Sequence, residues 1–141
     1  MAVDSSGNVY VADESNNRIR KITSADRIED RTVSTLASSG DADFVNGIGS
    51  TAQFNTPTGV VVDSRGNVYV ADGNNHRIRK ITPTGVVSTF VGSGTAAFAN
   101  GTANTAQFDL PASVAVDSRG NVYVADGNNN HRIRKIEYKV P

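Results

Sequence analysis

The residues with the clearest chemical potential are aspartates and arginines that recur in three copies of one phrase. In each copy an aspartate ends the run Val-Tyr-Val-Ala-Asp, and an arginine opens the run Arg-Ile-Arg-Lys-Ile shortly after it. A carboxylate and a guanidinium on either side of a short turn are placed to form a charge-assisted hydrogen bond. Because they recur with the whole phrase, we predict three structural pairs: Asp13 with Arg18, Asp72 with Arg77, and Asp126 with Arg132.

Two histidines, His76 and His131, occupy the same turn of successive copies and raise the question of a metal site. Tetrahedral zinc takes three or four ligands, whereas the chain has 2 histidines and no cysteine. The stretch Asp63–Asn67 also lacks the spaced carboxylates of a calcium loop, so it is predicted to form a turn. We therefore predict no metal and no cofactor.

Catalytic signatures are missing as well. The chain has no cysteine nucleophile and no Gly-x-Ser-x-Gly elbow. Its 14 basic residues balance its 14 acidic ones, which disfavours nucleic acid as a partner although each copy contains an Arg-x-Arg-Lys cluster. Because no catalytic nucleophile can be named, the sequence predicts a protein that is not an enzyme.

The turn between the two runs is rich in asparagine and histidine, which suit adaptable hydrogen bonding to a protein or peptide ligand. We predict a binding face at these turns. Its candidate residues are Asn16, Asn17, Asn74, Asn75, His76, Asn129 and His131.

The elements that carry these residues can be read from the middle copy. Alternating apolar runs bounded by Gly, Asn and Pro predict four antiparallel strands, at residues 58–63, 67–72, 77–81 and 86–91. Val68 and Val70 should face one side of the sheet, and Tyr69 and Ala71 the other. The third strand is the most polar and is predicted to lie nearer the outside.

Residues 1–141 are predicted to form a single repeat domain, which the recurring phrase divides into three units. The first unit covers about 1–54, the second about 55–108, and an incomplete third about 109–141. In the connections between units, Phe98, Gly101 and Gln107-Phe108 repeat the order of Phe44, Gly47 and Gln53-Phe54. These connections are therefore predicted to be ordered.

The repeated phrases resemble the NHL family of β-propellers. The resemblance is carried by Gly66-Asn67-Val68-Tyr69-Val70-Ala71-Asp72 and by Asn75-His76-Arg77-Ile78-Arg79-Lys80-Ile81, and by their counterparts in the other copies. It implies an all-β fold of four-stranded antiparallel blades, often six to a ring, used mostly to bind proteins or RNA and only sometimes as an enzyme. The Asn-His-Leu tripeptide that gives the family its name differs here, because Arg77 and Arg132 replace the leucine and Asn17 replaces the histidine in the first copy.

The number of strands indicates about three blades per chain, whereas propellers close with typically four to eight. We predict that two copies form a homodimer and close a six-bladed ring, because each end of a three-blade arc would expose an apolar face. Missing blades elsewhere in a longer protein, or a ring of three chains, are the alternatives.

The predicted function is that of a non-enzymatic binding scaffold. Half of a propeller lyase or hydrolase, or an RNA-binding face, are the alternatives. The near identity of copies two and three indicates recent duplication or engineered repeats, and both stay open. No signal peptide or transmembrane run is visible, so a soluble protein of unspecified compartment is expected, with no membrane partner.

Overall fold

The computed structural model describes residues 1–128 and 130–138, which form twelve strands and four short 3-10 turns without an α-helix. The strands are β1 (Ala2–Val3), β2 (Val9–Asp13), β3 (Arg18–Ile22), β4 (Val33–Ala37), β5 (Gly47–Ile48), β6 (Pro57–Val62), β7 (Val68–Asp72), β8 (Arg77–Ile81), β9 (Val86–Val91), β10 (Pro111–Val116), β11 (Val122–Asp126) and β12 (Arg132–Ile136). In this described part, no helix has the length and apolar character needed to cross a bilayer.

The strands form three antiparallel sheets. Sheet 1 has the order β1-β2-β3-β4, sheet 2 the order β5-β9-β8-β7-β6, and sheet 3 the order β10-β11-β12. Neighbouring strands follow one another along the chain, except that β5 adds to the outer edge of β9. The predicted antiparallel meander of the middle copy is confirmed, with strand ends shifted by at most one residue.

Two apolar cores lie between the sheets, one on each side of sheet 2. Val68 and Val70 of β7 pack toward sheet 1, whereas Tyr69 and Ala71 pack toward sheet 3. This alternation confirms the predicted faces and follows from the two-residue period of a strand. Sheet 2 is therefore covered on both sides, and sheets 1 and 3 on one side each.

The prediction that the polar third strand lies toward the outside is wrong for β8. Ile78, Arg79 and Ile81 are fully buried, because Ile78 packs in the core toward sheet 3, Ile81 packs in the core toward sheet 1, and Arg79 bonds to the connection upstream of β6. The polar composition of this strand therefore gave no indication that Arg79 is buried together with the two isoleucines.

The first strands of sheets 2 and 3 approach each other closely at Gly59. A Cβ atom at this position would lie 3.0 Å from the Ser113 Cα atom and 3.2 Å from the Ala112 carbonyl oxygen. Glycine therefore lets β6 and β10 lie against each other at this point, as expected where two backbones meet.

Candidate binding surfaces

The repeated aspartates form ion pairs, but with a different arginine from the one predicted. The Asp72 carboxylate lies 2.7 Å from Arg79 Nη1, and the Asp126 carboxylate lies 2.7 Å from Arg134 Nη1. In sheet 1, Asp13 Oδ2 lies 3.1 Å from Arg20 Nη1. The predicted partners Arg18, Arg77 and Arg132 are thus two residues too early in the strand.

The physical reason in sheets 1 and 2 is that the first arginine of the third strand bonds to the connection that follows the fourth strand, whereas Arg132 of sheet 3 donates to the Asn130 carbonyl oxygen. Arg77 Nη2 donates to the Ser93 carbonyl oxygen at 3.1 Å, and its guanidinium lies 3.8 Å from the centroid of the Phe44 ring. Arg18 donates to the Ser39 carbonyl oxygen in the same way. The second arginine, on the same face of the strand, is left to reach the aspartate.

Arg79 is the centre of a buried hydrogen-bond cluster that sequence reasoning missed. Besides Asp72, its Nη1 donates to the Gln53 carbonyl oxygen at 2.9 Å, and its Nη2 donates to Val45 O at 2.8 Å and to Asn46 Oδ1 at 2.9 Å. The guanidinium also lies between the rings of Phe44 and Phe54, at 4.6 and 4.7 Å from their centroids. The recurrence of those phenylalanines in the connections was the available signal.

Arg134 repeats this cluster in sheet 3. It donates to the Gln107 and Ala99 carbonyl oxygens and to Asn100 Oδ1, and it lies between the rings of Phe98 and Phe108. The predicted order of the inter-unit connections is thus confirmed, since both connections are held by a buried arginine. Burial raises the pKa of the Asp72 carboxyl and lowers the pKa of the Arg79 guanidinium.

The aspartate after each first strand builds a turn. Asp117 Oδ1 accepts from the backbone N–H groups of Arg119 and Asn121, both at 2.9 Å, and its Oδ2 accepts from the Asn121 amide and the Tyr123 hydroxyl. These hydrogen bonds, that of the Asn121 side chain above all, lower the pKa of Asp117 to about 2. Asp63 makes the same bonds, which confirms that Asp63–Asn67 forms a turn.

Several residues of the predicted binding face are used inside the protein. Asn75 Nδ2 donates to Asp72 Oδ2 at 2.7 Å and to the Asp43 carbonyl oxygen at 2.9 Å. Asn16 Nδ2 donates to Asp13 Oδ2, and Asn74 Nδ2 donates to Thr56 Oγ1, both at 2.9 Å. Asn16 and Asn75 thus bond to the aspartate that precedes their own turn, whereas Asn74 bonds to the start of its unit. Asn16 and Asn74 also remain exposed to solvent.

Asn17 and His76 join each unit to the next. Asn17 Oδ1 accepts the backbone N–H of Thr56 at 2.9 Å, and His76 Nδ1 accepts that of Leu110 at 3.1 Å. All four residues have positive φ, between 49° and 56°. His131 has the same backbone conformation, with φ 49°, and its side chain is exposed. Asn129 lies outside the described residues.

The candidates therefore divide into two groups among the residues described here. Asn16, Asn74 and His131 are exposed. Asn17, Asn75 and His76 are partly buried, and each takes part in a hydrogen bond within its unit or to the next unit. Across residues 1–128 and 130–138, no three histidine, aspartate or glutamate side chains form a cluster suited to a metal ion.

The outer faces of sheets 1 and 3 carry apolar side chains that the middle sheet buries. Ile78 of sheet 2 is 0% exposed, but its counterpart in sheet 3, Ile133, is 74% exposed. Val87 is 2% exposed, but its counterpart in sheet 1, Val33, is 56% exposed. We call these surfaces end face 1, formed by Val9, Val11, Ile22 and Val33, and end face 3, formed by Tyr123, Ala125 and Ile133.

The repeats agree with a known family at the level of sequence. A family model described as NHL repeat matches residues 1–22, 54–81 and 108–136, so it covers β1 to β3, β6 to β8 and β10 to β12 with the turns between them. The chain belongs to the NHL repeat family. The resemblance inferred from the repeated phrases is thereby confirmed.

The curated relatives of this chain are much longer than the chain itself. Protein SUPPRESSOR OF QUENCHING 1, chloroplastic, of Arabidopsis thaliana is 33% identical over 129 residues, which are 86% of this chain and 12% of that protein. NHL repeat-containing protein 2 of Bos taurus is 32% identical over 139 residues, which are 92% of this chain and 19% of that protein. This chain therefore spans less than a fifth of either relative.

Solved structures support the propeller-like fold of this NHL chain. An auxiliary nutrient binding protein from Bacteroides thetaiotaomicron superposes with a TM-score of 0.80 at 28% identity, over 92% of this chain and 34% of that one. A putative phosphatase from the same organism gives a TM-score of 0.79 at 21% identity, over 95% of this chain and 33% of that one. The second likeness concerns the fold alone.

Proposed function

We propose that this chain is a non-enzymatic NHL segment that completes a closed propeller with a second copy of itself and serves as a binding scaffold. The observation that carries the proposal is the contrast between Ile78, fully buried, and Ile133, 74% exposed at the equivalent position. Burying a large apolar side chain contributes about 1.5–3 kcal/mol, so each end face favours a partner.

Sheet 2 indicates which partner fits each end. It uses one face against sheet 1 and the opposite face against sheet 3, and these two faces reappear as end face 1 and end face 3. End face 3 of one copy is thus complementary to end face 1 of another. Two copies with three sheets each would make two such head-to-tail junctions and close a ring of six, the blade number common in the family.

The self-assembly is tested by measuring mass in solution with light scattering. We expect twice the 14.9 kDa of one chain for the unaltered protein, and one chain for Ile133→Lys or Val33→Lys, which place a charge on an end face. The control is Ile28→Lys, because Ile28 is 79% exposed in a turn outside both end faces, and it should keep the double mass. A folded, monomeric unaltered protein would contradict the proposal.

A role in binding also suits the exposed turns of the ring. Asn16, Asn74 and His131 offer hydrogen-bonding groups to a protein or peptide ligand. The related Bacteroides thetaiotaomicron structure carries the name of a nutrient binding protein, which favours binding over catalysis. RNA is disfavoured, because Arg79 and Arg134 of the basic clusters are buried and paired with aspartates.

A further inference from the structure

The junction between the second and third units depends on a histidine nitrogen that can accept a hydrogen bond only while it carries no proton. His76 Nδ1 lies 3.1 Å from the backbone nitrogen of Leu110, and a backbone N–H group can only donate. The Nδ1 atom is therefore the acceptor, which places the single ring proton of the neutral imidazole on Nε2. A second proton would occupy Nδ1 and break this hydrogen bond.

Leu110 has a backbone conformation that its surroundings must hold. Its φ is 49°, in the left-handed region that bulky residues rarely adopt, and it directly precedes Pro111 at the start of β10. Such conformations persist only where the neighbouring structure enforces them. The bond to His76 belongs to that support, because it ties the Leu110 N–H group to the turn of the preceding unit.

A carboxylate lies close to the same ring nitrogen. Asp109 Oδ1 is 3.9 Å from His76 Nδ1, and the side chains of His76 and Asp109 are 20% and 10% exposed. This distance is too long for a hydrogen bond, but it is short enough for the carboxylate to attract a positively charged imidazolium. A protonated His76 would therefore lose Leu110 as a partner and gain Asp109.

The other charged groups near this junction have partners elsewhere. Asp72 is paired with Arg79, Asp126 is paired with Arg134, and Arg77 donates to the Ser93 carbonyl oxygen. In the part of the chain that the structure describes, Asp109 alone places a carboxylate within ion-pair distance of the His76 ring. The exchange of partners therefore concerns only His76, Leu110 and Asp109.

The junction between the first and second units has the same geometry without a titratable group. Asn17 Oδ1 accepts the backbone N–H of Thr56 at 2.9 Å, and Thr56 has φ 54°. Asn55 stands directly before Thr56, where Asp109 stands before Leu110. The backbone N–H groups of Asn55 and Asp109 each donate to the aspartate that ends the second strand of their own unit. Two amides in one junction thus correspond to an imidazole and a carboxylate in the other.

We propose that the junction between the second and third units is a pH-dependent switch. Neutral His76 holds the Leu110 N–H group, whereas protonated His76 releases this group and turns to the Asp109 carboxylate. Histidine changes its charge between about pH 5 and 8, so mild acidification loosens the junction. The Asn17 junction does not respond, because an amide side chain does not titrate. The switch lies within one chain and requires neither self-assembly nor a ligand.

The test follows hydrogen exchange at single backbone amides by NMR from about pH 7.5 to 5.5, with correction for the intrinsic exchange rate. We expect protection of the Leu110 amide to fall about tenfold on acidification through loss of one hydrogen bond, whereas protection of the Thr56 amide stays constant. His76→Asn, which introduces the residue that the first junction uses, should abolish the pH dependence at Leu110. The converse variant, Asn17→His, should introduce it at Thr56.

Asp109→Asn tests the second partner of the switch and matches Asn55 of the first junction. Its Leu110 amide should still lose protection on acidification, but its melting temperature should fall more steeply than that of the unaltered protein, because the imidazolium has no carboxylate to attract it. Equal slopes would remove Asp109 from the switch. The proposal is overturned if Leu110 protection is independent of pH in the unaltered protein, if His76→Asn keeps the dependence, or if Thr56 loses protection as much as Leu110.

Discussion

At the residue scale, one arginine position is buried in two of the units and partly exposed in the first. Arg79 and its partner Asp72 are both fully buried, Arg134 and Asp126 nearly so, whereas Arg20 and Asp13 are 32% and 26% exposed. The difference arises because Arg79 and Arg134 each lie beneath an upstream connection that supplies two phenylalanine rings and three backbone or amide oxygens. The arginine at this position of the repeat is therefore the centre of a buried hydrogen-bond cluster in sheets 2 and 3, and a partly exposed residue in sheet 1.

This difference predicts the effect of removing the arginine. Arg79→Ala leaves the Asp72 carboxylate buried without its cation, so we expect the free energy of unfolding to fall by about 3–5 kcal/mol. Arg20→Ala, at the equivalent but partly exposed position, should lower it by about 1 kcal/mol or less. Urea denaturation followed by circular dichroism measures both. Equal losses for the two variants would contradict the assigned role of burial.

At the element scale, the turn between the second and third strands bonds to the start of its own unit and, through His76, to Leu110 of the next unit. In sheet 2 it is a 3-10 turn at Gly73–Asn75 that ends at His76 in left-handed conformation. Its backbone lies against the start of the same unit, where Asn74 N donates to the Asn55 carbonyl oxygen. The third unit has one residue more in this turn, and Asn128 and Asn130 make the bonds that Asn74 and Asn75 make in the second.

Two glycines at equivalent points of this turn predict different tolerance to a methyl group. A Cβ atom at Gly73 would lie 2.8 Å from the Thr56 carbonyl oxygen, whereas at Gly127 the nearest atoms would lie at 3.6 Å. We expect Gly73→Ala to lower the free energy of unfolding by about 1–3 kcal/mol through overpacking. Gly127→Ala should stay within about 0.5 kcal/mol of the unaltered protein. Denaturant titrations compare the two, and a larger loss at Gly127 would refute this interpretation.

At the scale of the whole molecule, three sheets share two cores and leave two end faces. If end face 3 binds end face 1 of a second copy, association is linked to folding, and the melting temperature depends on protein concentration. We expect the melting temperature of the unaltered protein to rise with concentration, and that of Ile133→Lys to be lower and constant. Differential scanning calorimetry over a dilution series makes the measurement. A constant melting temperature for the unaltered protein would count against assembly.

The sequence by itself determined the family, the antiparallel strands and their alternating faces. These properties are local: Val68 to Asp72 form a strand with two distinct faces wherever the repeat occurs, and the repeat occurs three times. The Asp63 turn was equally predictable, because its carboxylate bonds to backbone groups within a few residues.

Only the tertiary structure decided the partners and the burial of repeated residues. Asp72 bonds to Arg79 instead of Arg77 because the connection upstream of β6 and that downstream of β9 approach the same strand, which no local pattern encodes. Ile78 and Ile133 occupy the same position in the same run, Arg-Ile-Arg-Lys-Ile, yet Ile78 is buried and Ile133 is exposed. Burial depends on which sheet lies alongside, and that is a property of the assembled fold.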